Sequence, residues 1–177
     1  MSWIATSVGR KLDYLCPDAQ QISLTDIAVG LSNVARFAGQ TNRHYSVAAH
    51  SVMCSRMCPE APLHALLHDA PEAYMGDCPR PLKQALGHRW KYIEDMLLEC
   101  ILVKYGLEPK LPNCVKEVDD RMLFTERREL QPHGPDWGWE LAPYDIQLPK
   151  WSHEQAAREF IEQFTMLAAE ASVGHAR

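Results

Sequence analysis

Along most of this chain apolar residues recur at intervals of three and four, the spacing that gathers side chains on one face of an α-helix. Ser23 or Thr25 can cap a first helix, with Asp26 in its opening turn and Ile27, Leu31 and Val34 on its apolar face. A loop, Arg36 to Thr41, follows. A second helix runs from Ser46 to Met57, where Pro59 follows. Its inner face holds Val47, His50, Met53, Cys54 and Met57, so His50 points inward. Leu63, Leu66 and Leu67 mark a third helix, Leu63 to Asp69. Pro71 then kinks the chain into a short helix, Pro71 to Met75, that stops at Gly76. Leu82, Ala85, Leu86, Trp90, Ile93, Leu97 and Ile101 predict one long amphipathic helix ended by Gly106. Pro112 to Glu129 is a further helix, with Val115, Val118, Met122 and Leu123 inside.

Periodicity is lost from Gln131 to Trp151, a stretch with three Trp and four Pro. It returns after Ser152, which forms a capping box with Gln155 and opens a helix carrying Ala156, Ala157, Phe160, Ile161, Phe164 and Leu167. Strand signal is confined to a short strand or extended arm around Trp3 to Val8. The expectation is all-α: a single-domain helical bundle over residues 1–177, of about six helices, with a Pro/Trp-rich loop before the C-terminal helix.

Composition narrows the function classes. A chain of 177 residues is large enough to bury one core without staples, and 46% apolar and 23% charged residues are ordinary for a globular protein. A net charge of −5 argues against a nucleic-acid polymer as partner. It leaves a small phosphorylated ligand open, because a local cation or metal overrules the global sign. No apolar run of about eighteen residues suggests a membrane span, and Met1 to Arg10 lacks the apolar region of a signal peptide. Six cysteines without a CxxC pair, in a chain of this length, read as reduced thiols and a cytoplasmic location.

Against this background a few polar residues stand out. His50 lies on an apolar face, His68-Asp69 ends a core helix, and Asp119 falls four residues after Val115 and three before Met122. A core accepts such groups when they are paired, hydrogen-bonded or bound to metal. Two imidazoles and two carboxylates from three helices form a mixed N/O set suited to one Mn²⁺, Co²⁺, Fe²⁺ or Zn²⁺ ion. Each has a plainer reading. His50 fits a satisfied core histidine, and Asp119 fits an ion pair with Arg121 or Arg127. Glu72 fits a helix-start acid, Asp77 a turn residue, and Arg36 and Lys83 surface cations. Asp120 points away from the apolar face and reads as solvated. His50, Cys54 and Cys58 at i, i+4 and i+8 do not suit one zinc ion, because a straight helix spreads the outer two by about 12 Å. His64 and His68 lack the glutamate of an HExxH site, Ala65 standing in its place.

Ser-Val-Ala-Ala-His50-Ser, Leu-Leu-His68-Asp69 and Val-Lys-Glu-Val-Asp119 together resemble the HD-domain phosphohydrolases, whose metal ligands read H…HD…D. His68-Asp69-Ala-Pro-Glu72 and Gly76-Asp77-Cys-Pro-Arg-Pro-Leu-Lys83 are similar to the small bacterial 5′-deoxynucleotidases and the phage-type HD hydrolases of deoxynucleoside triphosphates, notably dATP. The motif core spans about 36–130, and the opening Ser-Trp-Ile…Gly-Arg-Lys-Leu-Asp-Tyr-Leu also looks like the phage branch. The interval from His50 to His68 is shorter than in the bacterial enzymes, and Met75 replaces a polar residue often found there.

The resemblance implies a hydrolase that removes phosphate from deoxynucleoside 5′-phosphates, with the triphosphohydrolase as the alternative. A metal- or nucleotide-binding regulatory module without turnover is the alternative from another class. It also implies His50, His68, Asp69 and Asp119 as ligands of one divalent transition metal and Glu72 and Asp77 as catalytic acids or bases. Arg36 and Lys83 would meet phosphate and Phe37 the base. A deoxynucleotide is the implied partner, in a bacterial or phage-infected cytosol, with a homodimer or higher homo-oligomer as the form common in the family.

Overall fold

A computed structural model describes residues 1–174, and their architecture is a helical bundle. The N-terminal arm is a small antiparallel hairpin rather than a lone strand. β1 (Trp3–Ala5) pairs with β2 (Lys11–Asp13), Ile4 opposite Leu12, and buried Leu12 ties the hairpin to the core. α1 (Leu24–Asn33) is capped by the Ser23 hydroxyl, which accepts from the Asp26 N–H; Ile27 and Leu31 are fully buried. Val34, expected on the same face, lies just past the helix end. Val47 N–H donates to Val34 C=O and Arg36 N–H to Tyr45 C=O, so the intervening loop returns on itself and sets Arg36 beside the start of the next helix.

α2 (Val47–Met57) is capped by Ser46 and runs through the middle of the bundle, from Val47 to Ser55 almost wholly buried. α3 (Pro62–Leu67) packs on it and α4 (Glu72–Met75) follows after the Pro71 break, stopped at Gly76 with φ 82°. Gly30 of α1 is where α4 comes closest. A Cβ there would lie 2.6 Å from the Ala73 carbonyl oxygen, so only glycine lets the two backbones approach.

The predicted long helix from Leu82 is in fact two, α5 (Arg80–Leu86) and α6 (His88–Lys104). Gly87, at φ 74°, breaks the path between them, while the apolar period continues across the break and hides it from a count of spacings. The total therefore exceeds the six helices expected. α7 (Asn113–Leu130) carries Val115, Val118 and Met122 inward, and α8 (His153–Gly174) opens with the predicted reciprocal bonds between Ser152 and Gln155 and closes the bundle against α1 and α2.

Two apolar clusters share α2. One gathers α1, α3, α6 and α8 around Leu31, Val52, Leu66, Ile101 and Phe160; the other joins α2 and α3 to α7 around Ala49, Cys54, Val118 and Met122. The irregular stretch after α7 lies along that helix. Arg121 donates to the Ala142 carbonyl, Tyr144 N–H to Thr125 Oγ1 and Leu148 N–H to Glu129. Phe124 stacks edge-on with Trp139 at 4.6 Å and lies 5.7 Å from Trp137, so these tryptophans cover α7, although Trp139 keeps 41% of its surface exposed. Among the described residues no helix is long and apolar enough to cross a membrane.

Candidate metal centre

The four residues singled out as metal ligands converge where α2, the end of α3 and α7 meet. His50 Nε2 lies 3.3 Å from His68 Nε2, 3.5 Å from Asp69 Oδ2 and 3.3 Å from Asp119 Oδ1. His68 Nε2 is 3.3 Å from Asp69 Oδ2 and 3.8 Å from Asp119 Oδ1. His50 is wholly buried, and the Asp69 and Asp119 carboxylates keep a partly open edge.

The outer nitrogens of both imidazoles are committed, and their partners fix the tautomers. His50 Nδ1 meets Glu126 Oε1 at 2.6 Å and His68 Nδ1 meets the Ala65 carbonyl at 2.8 Å. A carboxylate and a carbonyl only accept, so both Nδ1 atoms carry the proton. Both Nε2 lone pairs are thereby turned on the same point. Two lone pairs 3.3 Å apart repel unless a cation lies between them. Nitrogens each about 2.1 Å from one ion stand about 3.0 to 3.4 Å apart in octahedral or tetrahedral geometry, so the spacing suits a shared metal.

Without a metal, protons take that place. Burial and Arg36 oppose protonation of His50, yet Cys54, Glu126 and Asp119 outweigh them and hold its pKa well above the imidazole value. Burial opposes His68 likewise, and Asp69 and Asp119 overcome it. Burial pushes Asp69 and Asp119 up, but the two imidazoles more than reverse this and leave both carboxyls below the usual range.

Glu126 is the residue that sequence reasoning missed. It is fully buried, and while Oε1 accepts from His50 Nδ1–H, Oε2 accepts from Arg36 Nε at 3.2 Å. A signal existed: Glu126 follows Asp119 by seven residues, two turns along the same face of α7. Cys54, weighed in the sequence only as part of a zinc row with His50 and Cys58 and set aside with it, also belongs to this group. One turn after His50, its Sγ lies 3.5 Å from His50 Nε2, and the donor atoms of His50, Cys54, His68 and Asp119 all fall within 4.8 Å of one another. This buried group could hold a metal ion.

The remaining candidates lie around the same point. Arg36 is buried, with Nη1 3.6 Å from Asp69 Oδ2, so it braces the Asp69 and Glu126 carboxylates together. Phe37 and Ala38, directly after it, have φ of 55° and 51°, a left-handed path costing roughly 1–3 kcal/mol per residue. Phe37 packs toward Trp137, ring centroids 6.4 Å apart, and does not line the cavity described below. Neither Arg121 nor Arg127 pairs with Asp119. Their guanidinium groups serve the carbonyls of Ala142 and Pro135. Asp120, expected in solvent, bridges Arg80 at 2.8 Å and Lys116 at 2.6 Å.

Glu72 is buried with Oε1 3.2 Å from Lys83 Nζ and Oε2 without a hydrogen-bond partner. Burial first, then Asp69 and Asp77, raises its pKa well above the carboxyl value against the pull of Lys83 and Arg36. Asp77 is raised too, by burial and then by Asp69, with Arg36, Lys83 and His50 opposing. Lys83 bridges onward to Glu94 at 2.7 Å. Glu72, Lys83 and Glu94, but not Asp77, border a cavity of about 380 Å³ that is also lined by His68, Asp69 and Asp119, by the apolar Leu98 and Val115, and by Arg80, Lys91 and Lys116. Its volume falls within the range of small-molecule sites.

No family model matches the chain. Over 131 residues, 73% of this chain and 73% of the relative, it is 46% identical to "Uncharacterized protein YfdR" of Escherichia coli (strain K12). It is 38% identical over 125 residues to "Uncharacterized protein RCAP_rcc00048" of Rhodobacter capsulatus; that match covers 65% of this chain and 64% of the relative. Neither name carries an activity.

Proposed function

The chain belongs to the same family as the E. coli protein YfdR, and we propose that it is a metal-dependent phosphohydrolase of the HD type acting on deoxynucleoside 5′-phosphates. One observation carries this reading: two imidazole nitrogens with fixed tautomers and two carboxylates face one point beside a cavity lined by an acid with one unpartnered oxygen and by several cations. His50, His68, Asp69 and Asp119 would hold one divalent transition ion (Mn²⁺, Co²⁺, Fe²⁺ or Zn²⁺), with Cys54 beside them. When bound, such an ion supplies Lewis-acid activation of water and of a phosphoryl oxygen.

The chain's own groups do the rest. Glu126 and the Ala65 carbonyl hold the imidazole protons on the far side, so neither ring can rotate or change tautomer without losing a bond. Arg36 fixes Asp69. Glu72 is the proton carrier: Lys83 anchors Oε1, and Oε2 is the atom free to take a proton from the attacking water. A carboxyl whose pKa burial and its anionic neighbours raise above the ordinary value holds a proton more tightly and is the stronger base for that step. Asp77, similarly raised, returns a proton to the leaving oxygen or holds the sugar hydroxyl. Arg80, Lys91 and Lys116 are each paired with an aspartate, so a phosphate entering the cavity competes for cations already placed there.

Phosphate and polyphosphate release, measured over each dNMP and dNTP with Mn²⁺, Co²⁺, Mg²⁺ or Zn²⁺, tests the proposal. The expected result is orthophosphate from monophosphates, lost in Asp69→Ala. Polyphosphate from one triphosphate would move the assignment to the triphosphohydrolase type. Silence on every substrate, with metal bound and the fold intact, would sink hydrolysis and leave the binding module.

A further inference from the structure

At the far end of the same two helices sits a second, independent group of metal-ligating side chains. Cys58 closes α2, Glu60 follows in the turn, and Cys114 lies in the first turn of α7. One ligand atom from each of the three lies within 4.8 Å of the others. Cys58 is buried, Cys114 half-buried and Glu60 exposed, so the group opens to solvent on one side only. Cys58 is eight residues from His50, about 12 Å along the helix, so one ion cannot serve both groups. The i, i+4, i+8 row of α2 therefore divides: His50 and Cys54 turn to the first centre, Cys58 to this one.

Burial, a hydrogen bond with Cys114 and the Glu60 carboxylate push the Cys58 thiol up to about 11, and none of these influences is a cation. A protonated thiol beside a second thiol and a carboxylate is a group from which a thiophilic cation displaces protons as it binds. Two sulfurs each about 2.3 Å from a tetrahedral ion stand about 3.8 Å apart, a spacing compatible with ligand atoms that all lie within 4.8 Å of one another.

We propose that Cys58, Cys114 and Glu60 form a second metal site, for a thiophilic divalent cation of the Zn²⁺ type, with water completing the coordination on the open side. Bound there, the ion joins the C-terminal end of α2 to the N-terminal end of α7. It fixes the register of His50 against Asp119 and Glu126.

The test is metal stoichiometry by native mass spectrometry. The full chain is kept in a phosphine reductant, stripped with chelator and reloaded with Zn²⁺. Cys114→Ser, at the half-exposed position, is expected to take one ion fewer than wild type whatever the first centre holds. With Co²⁺, a Cys54→Ser chain keeps a thiolate charge-transfer band that the added Cys114→Ser removes. Should Cys54→Ser fail to fold, the wild-type and Cys114→Ser stoichiometries decide alone. Equal stoichiometry in those two proteins would overturn the proposal. So would recovery of Cys58 and Cys114 as a disulfide that takes no metal under native conditions.

Discussion

Glu126→Gln removes one charge from the centre while keeping the shape of the side chain. The wild-type carboxylate accepts from two donors at once, His50 Nδ1 at 2.6 Å and Arg36 Nε at 3.2 Å. Glutamine offers one oxygen and one NH₂, so one of those donors must face another donor. If NH₂ faces His50, the ring keeps a bond only by moving its proton to Nε2, which blocks the lone pair aimed at His68 and Asp119. If it faces Arg36, a buried guanidinium keeps only Asp69, at 3.6 Å. Loss of a carboxylate behind a ligating histidine typically costs 10–100-fold in metal affinity, about 1.4–2.7 kcal/mol. An unmet buried donor costs roughly 1–3 kcal/mol of stability even without metal. Competition for Zn²⁺ against a chromophoric chelator reads the first figure, and urea unfolding in EDTA reads the second. A folded Glu126→Gln chain with wild-type Zn²⁺ affinity would refute the role assigned to Glu126.

Gly30→Ala places a methyl 2.6 Å from the Ala73 carbonyl and forces α1 from α4. Overpacking of about 1–3 kcal/mol exceeds the helix-propensity gain of up to about 1 kcal/mol, so the melting temperature should fall; a rise would contradict this close packing. In the metal-free chain His50 and His68 titrate well above 6.5, because their anionic neighbours outweigh burial. Their contribution is fully present below pH 6.5 and fades as pH rises through the folded values, whereas that of Asp69 and Asp119, depressed below 3.8, fades only as pH falls through theirs. Thermal melts in EDTA should therefore show greatest stability between about pH 4 and 6.5, while the stabilisation given by added Zn²⁺ grows with pH as it displaces imidazole protons. Lys83→Met removes the cation that opposes burial at Glu72, so the acidic limb of the kcat–pH profile should move upward; an unmoved limb would exclude Glu72 as the titrating base.

Helix identity was legible because it depends on neighbours three and four residues apart. Ser23, offered beside Thr25, and Ser152 cap their helices, and Pro71 with Gly76 confines α4. His50 and Asp119 stood out for the same reason, as polar groups on apolar faces. The break at Gly87 was misread because α5 and α6 keep one apolar period across it.

What the sequence by itself determined, then, is which segments are helical and which polar residues must find company inside. Only the tertiary structure decided the company. Glu126 meets His50 from 76 positions away, Ala73 demands a glycine at position 30, and Cys58 finds Cys114 rather than Cys54. Each depends on how whole helices cross, a consequence of packing summed over the bundle, and no local run of residues records it.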